Sequence, residues 1–177
     1  MFGTGTLLDT IRLRTRLAEI YGVNKKQVHA NVLGEHGDSS FVAWSAATIG
    51  GVPLAEYNQS IATPYNLQAD YTHEEVEEYV KKSGGKIISR KGSTVYGIAT
   101  TSTHIVSTIS GNAGTLMTVS SLHDGEYGIK DVCLSSLSLV DGTGVKSIIT
   151  QQLSDEEMKN LYHSADVLKE IIRDCGI

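Results

Sequence analysis

Long apolar runs are missing from this chain: none approaches the roughly 18 residues that span a membrane. Cysteine is scarce. Cys133 and Cys175 are the only two, far apart and at no metal-ligand spacing, which excludes a disulfide framework and a cysteine-built metal centre. Both read as free thiols in a reducing compartment, so the expected location is cytoplasmic. A basic excess is absent too. The net charge is −5 and the densest cationic cluster, Lys81-Lys82 with Lys86, Arg90 and Lys91, is broken by Gly84-Gly85, so it reads as a solvated helix face and not as a nucleic-acid surface. The N-terminus, "MFGTGTLLDT", has no basic lead and no apolar core of the kind a targeting segment needs. Internal repeats and low-complexity linkers are absent. "GTGTLL" opens like a dinucleotide fingerprint, but position 8 is leucine and only two residues precede Gly3, so no nucleotide-binding unit is recognisable.

What remains is a chain of 177 residues, 40% hydrophobic, sized for one globular domain. "LLDTIRLRTRLAEIYG" has helical spacing and stops at Gly22. "QVHANVLGEH" alternates and reads as a strand. "SFVAWSAATIGGVPL" reads as a short helix or strand ending at Gly50-Gly51, and 58–70 as loop. Thr72 caps a long helical stretch, in which Gly84-Gly85 and Gly92 predict a break or kink. From Gly114 to Thr150 a strand series turns at Asp124-Gly125, Tyr127-Gly128 and Asp141-Gly142. Ser154 with Glu157 forms a capping box that opens a last helix reaching about Asp174. This order predicts an α+β fold, with helices packed on a twisted, mainly antiparallel sheet.

One stretch carries chemistry. In "VLGEHGDSS" an imidazole, His36, stands at a strand end in a glycine-flanked turn. Histidine titrates near neutrality and suits acid/base work, provided a carboxylate orients it. Asp38 is too near in sequence to reach back. Asp9 is placed to do so if the first helix packs on the strand, and Arg12, three residues on, shares its helix face. Arg12 then offers a two-pronged grip on a substrate carboxylate. Glu35 is a flank expected to face elsewhere. Taken alone, a histidine in a turn and an Asp/Arg pair on a helix are more often structural than catalytic.

"GTGTLLDTIRLR" followed by "NVLGEHGDSS", with His36 27 residues after Asp9, resembles the C-terminal half of the L-lactate dehydrogenase family within the lactate/malate dehydrogenase superfamily. "KGSTVYGIA", "DGEYGIKDV" and "LSDEEMKNLYHSADVLKEII" extend the resemblance over essentially the whole chain, 1–177, as a single substrate domain. The resemblance implies that His36 gives and takes the proton on the C2 oxygen of a 2-oxo or 2-hydroxy acid. Asp9 pairs with it, Arg12 binds the carboxylate, Thr94 lines the pocket and Ile98 sits against the nicotinamide of NAD. It also implies a homo-oligomer, dimer or tetramer. Arg14 and His29 match the positions that bind fructose 1,6-bisphosphate in allosteric bacterial members; the plain alternative is an exposed helix arginine and a strand-edge histidine. No metal is implied.

The family's N-terminal Rossmann half, with its glycine-rich loop and its carbonyl-polarising arginine, finds no counterpart here. The chain is therefore expected to begin just before the first helix of the substrate half and to be inactive alone. Glu35, where malate members usually have glycine, favours lactate. "KKSGGKIISRKG" and "SSFVAWS" lean toward the L-2-hydroxyisocaproate type, which takes larger 2-oxo acids. A third reading is a non-catalytic oligomerisation or binding module.

Overall fold

The computed structural model describes residues 1–60 and 71–176. Helix α1 (Leu7–Tyr21) buries Leu7, Thr10, Leu13, Leu17 and Tyr21, a stripe at three- and four-residue spacing. It ends at Gly22, whose left-handed backbone lets Val23 N–H return to the Ala18 carbonyl. Then come short strands β1 (Val28–His29), β2 (Val32–Leu33), β3 (Phe41–Val42), β4 (Thr48–Ile49) and β5 (Val52–Pro53), and helix α2 (Leu54–Ser60). Helices α3 (His73–Lys91) and α4 (Tyr96–Ser110) precede a meander of β6 (Thr115–Asp124), β7 (Lys130–Asp141) and β8 (Gly144–Ile148). Helix α5 (Asp155–Asp174) closes the described chain.

All strand pairs are antiparallel, in sheets β1-β4-β5, β2-β3 and β6-β7-β8. The fold is α+β, as the pattern predicts. Three apolar clusters hold it. α1 packs Leu13, Leu17 and Tyr21 on Val28, Val32, Ile49 and on Val76 and Val80 of α3. α5 packs Leu161 and Ala165 on Leu33, Phe41, Val132 and Leu134. Leu7 and Ile105 pack on Met117, Val119 and Val140. Isolated bridges Gly3–Ser120 and Gly34–Ser135 tie the N-terminal part to the meander.

Four local expectations change. The strand predicted through "QVHANVLGEH" is two strands in different sheets, because Arg14 takes the Ala30 carbonyl at 2.9 Å and the Asn31 side-chain oxygen at 2.9 Å, withdrawing the ladder between them. The single short helix or strand predicted in "SFVAWSAATIGGVPL" is three short strands, β3, β4 and β5; β4 does end at Gly50-Gly51, which is the hairpin turn into β5. Residues 58–60 belong to α2; the rest of the predicted loop, 61–70, lies outside the described residues. α3 runs unbroken through Gly84-Gly85. Two glycines cost about 2 kcal/mol there, yet the first turns are fixed by a Thr72–Glu75 capping box and by Val76 and Val80. Lys86 also lies over the Tyr79 ring at 5.6 Å, spanning both glycines on one face. The break predicted at Gly92 is where α3 ends, with Gly92 as its C-cap, and the Ser154–Glu157 capping box opens α5.

Candidate active site

The residues that carry the chemistry come from four elements. α1 supplies Asp9 and Arg12, because positions three apart on a helix share a face. The loop 34–40 supplies His36. α3 contributes Val80, Lys81 and Gly84; α4 and the turn before it contribute Ile98 and Thr94. Together with Leu8, Asp38 and Ser40 they line one cleft of about 340 Å³. Larger depressions lie elsewhere, of about 520 and 680 Å³. Size does not single out this cleft; its convergence of an imidazole, a guanidinium and a buried carboxylate does.

The core of the cleft is a chain of three ionisable side chains. His36 Nδ1 lies 2.7 Å from Asp9 Oδ2, and Arg12 Nη1 donates to Asp9 Oδ1 at 3.1 Å. The Asp9 and Arg12 side chains are 11% and 18% exposed, that of His36 61%. A carboxylate so enclosed is fixed by its two partners, and its geometry decides which way the ring faces. With Nδ1 on Asp9, Nε2 is the nitrogen left for a ligand. The Asp9 hydrogen bond raises the imidazole pKa above its ordinary value. Partial burial opposes it, the Asp9 charge adds, the Arg12 charge subtracts and Glu35 adds a little.

The loop has a specific local cause. Gly34 takes φ +93° and exchanges both backbone hydrogen bonds with Ser135 of β7 at 2.9 Å. Ser40 N–H returns to the Gly37 carbonyl at 3.2 Å, closing the turn that carries His36. Glu35 does not line the cleft: its carboxylate accepts the Ser39 hydroxyl and faces a neighbouring depression. Lys81 donates to the Asp38 carbonyl at 3.0 Å and borders both spaces.

Asp9, Arg12, His36, Thr94 and Ile98 are thus brought to one place. Arg14 and His29 are not in it. Arg14 points to the β1–β2 connection and bonds the carbonyl of the residue after His29, and His29 is exposed on β1. Burial lowers the Arg14 pKa. Sequence reasoning missed Leu8, Val80, Lys81 and Ser164 as neighbours of the site. The apolar spacing of α3 marks Val76 and Val80 as inward, which was the available signal; a lone serine offers none. Among the described residues, no three His, Cys, Asp or Glu side chains group as a metal site, and no helix is long and apolar enough to cross a membrane.

Comparison with known proteins gives the family and the fold. The family described as lactate/malate dehydrogenase, alpha/beta C-terminal domain, matches residues 6–176. An L-lactate dehydrogenase of Acetivibrio thermocellus is 38% identical over 177 residues, covering 100% of this chain and 55% of the relative. That of Bifidobacterium animalis subsp. lactis is 41% identical over 176 residues, covering 99% and 54%. Among solved structures, a lactate dehydrogenase from a Medee basin deep-sea metagenome library superposes with TM-score 0.93 at 33% identity, covering 99% of this chain and 55% of that one. A minor L-lactate dehydrogenase from Enterococcus mundtii, in ligands-bound form, gives 0.89 at 36%, covering 98% and 54%. The chain spans about half the length of the relatives it matches.

Proposed function

The chain belongs to the lactate/malate dehydrogenase C-terminal domain family, and on that premise we propose that residues 1–177 are the substrate half of an NAD-dependent L-lactate dehydrogenase. The observation that carries this reading is the Asp9–His36 pair beside the Arg12 guanidinium. Arg12 receives the carboxylate of a 2-oxo or 2-hydroxy acid. His36 Nε2 takes the C2 hydroxyl proton in one direction and returns it to the C2 oxygen in the other. Asp9 holds the ring and stabilises the imidazolium. Thr94 lines the pocket.

A bound nicotinamide supplies the hydride acceptor and donor. Leu8, Val80 and Ile98 give the cleft an apolar part of its lining, and Ile98 is the side chain that would meet the ring face. These residues fit the reacting end of NAD. The rest of the cofactor site is not recognisable in the sequence, so the 177 residues alone are expected to bind substrate weakly and to turn nothing over. In this reading the working protein is a cytoplasmic homo-oligomer. Arg14 and His29 keep a second proposed role, binding fructose 1,6-bisphosphate, with His29 exposed on β1 and Arg14 held on the carbonyl of Ala30, the residue after His29.

A second reading, an enzyme for larger 2-oxo acids of the hydroxyisocaproate type, is favoured by one observation. Gly84 lines the cleft, and a Cβ there would stand 4.0 Å from Arg12 Nη1. The space a side chain would fill is open to a branched substituent.

The test is a titration of pyruvate, and in parallel 2-oxoisocaproate, into the ¹³C-histidine-labelled chain. The His36 signal is expected to shift and to stop shifting in Arg12→Gln; the better of the two ligands chooses between the readings. No shift with either acid overturns both and leaves a non-catalytic module. NADH oxidation by this chain overturns the expectation that it is inactive alone.

A further inference from the structure

Glu35, Ser39 and Ser164 form a closed hydrogen-bond circuit. Glu35 N–H donates to Ser164 Oγ at 2.6 Å, Ser164 Oγ and Ser39 Oγ are 3.0 Å apart, and the Ser39 hydroxyl donates to the Glu35 carboxylate. The directions are forced. A carboxylate only accepts, so the single Ser39 proton goes to Glu35. Ser39 Oγ is then the acceptor, and the Ser164 proton goes to it. Ser164 Oγ in turn takes the Glu35 N–H. Each donor in the ring has one acceptor, and such rings reinforce themselves where water is excluded.

Ser164 is fully buried on α5, a helix fixed by Leu161 and Ala165 in the second core cluster. Its Oγ also lies against Gly34, where an added Cβ would come within 2.6 Å. The circuit therefore seizes the loop at 34, 35 and 39, on both sides of His36. We propose that Ser164 is a positioning residue for His36: through the Glu35–Ser39 circuit it sets the loop so that the imidazole meets Asp9. The inference rests on the reading of His36 as the acid/base, and it gives Glu35 a role that its place beside the histidine does not reveal. Ser164 touches neither substrate nor the reacting atoms.

The experiment follows the six histidines of the chain by NMR across pH, with His36 assigned through His36→Asn. The charged groups around His36 are Asp9 and Arg12 from α1, Asp38 from its own loop and Lys81 from α3, which line the cleft with it, and Glu35, which acts by its charge from the neighbouring depression. None is removed by Ser164→Ala. Loosening the loop weakens the Asp9 contact, so the His36 midpoint in Ser164→Ala is expected to fall by about half a pH unit, with faster hydrogen exchange of the Glu35 amide. Ser39→Ala, which leaves the Glu35–Ser164 bond, is expected to give a smaller fall in the same direction. Leu168→Ala is the comparison: it weakens α5 packing one turn on and is expected to lower stability without moving the His36 midpoint. A Ser164→Ala titration identical to that of the parent overturns the proposal, and so does an equal fall in Leu168→Ala. Asp9→Asn separates the two levels. If it lowers the midpoint and Ser164→Ala does not, only the positioning role fails; if Asp9→Asn leaves the midpoint unmoved, the acid/base pair itself fails.

Discussion

Replacing Gly34 by alanine tests the packing beneath the site. At φ +93° an alanine is strained by about 1 kcal/mol or more. The new Cβ would lie 2.6 Å from Ser164 Oγ and 3.1 Å from Ser164 Cβ, and Ser39 O stands at 3.6 Å. Ser164 Oγ can turn away only by breaking its bonds to Glu35 and Ser39, and Ser164 Cβ can yield only with its backbone, so the overpacking cost is about 1–3 kcal/mol. The sum, about 3 kcal/mol, is a large part of the 5–15 kcal/mol that holds a typical domain. Urea unfolding followed by the single tryptophan, Trp44, reads it. With a slope near 2 kcal/mol per molar, the midpoint falls by about 1.5 M. In Gly34→Ala/Ser164→Gly the steric part is relieved while the backbone strain stays, so the two changes couple by about 1–2 kcal/mol. A Gly34→Ala midpoint within about 0.3 M of the parent, or a coupling near zero, refutes the close approach.

Three further outcomes follow from side chains already placed. Burial holds His123, with Nε2 3.0 Å from Ser136 Oγ, below its ordinary pKa of 6.5. The unfolded chain then takes up the proton first, so stability is full above that pH and falls below it by up to about 1.4 kcal/mol per pH unit. Urea midpoints from pH 5 to 8 should show this slope flattened in His123→Gln. His36, with its raised pKa, acts oppositely: its contribution is present below 6.5 and lost as pH rises through the folded value, and its slope should vanish in Asp9→Asn. Glu157→Ala leaves the Ser45 and Ser154 amides, now bonded at 2.9 and 2.8 Å, without their acceptor and should cost about 2–3 kcal/mol by the same unfolding assay.

The long elements were legible because their signals are local. The stripe of α1, the capping boxes at Thr72 and Ser154 and the alternation of β6 and β7 each lie within a few residues of the element they specify. The pairing of Asp9 with His36 was legible from a helix face, a strand end and the family resemblance, and the structure places the two 2.7 Å apart. The short strands were not. Two-residue segments carry no period, and what divides β1 from β2 is the side chain of Arg14, sixteen residues from Ala30. The unbroken α3 escaped because glycine content speaks against a helix, whereas the Tyr79–Lys86 contact across it speaks for one only in three dimensions. Ser164 escaped for the same reason: one serine in an amphipathic helix has no pattern to betray its partner.

The span of the Ser164 contact bears on when the site can exist. Glu35 and Ser164 are 129 residues apart, and so are Thr6 and Ser135, whose hydroxyl accepts the Thr6 amide. The β6–β8 meander, in contrast, closes between near neighbours. Local contacts form first and distant ones later, since each must overcome the entropy of the intervening chain. During synthesis the His36 loop therefore leaves the ribosome long before the helix that shapes it. For that interval Asp9 and His36 are both present while the circuit that grips their loop still lacks its Ser164 corner, and that circuit closes only as α5 docks.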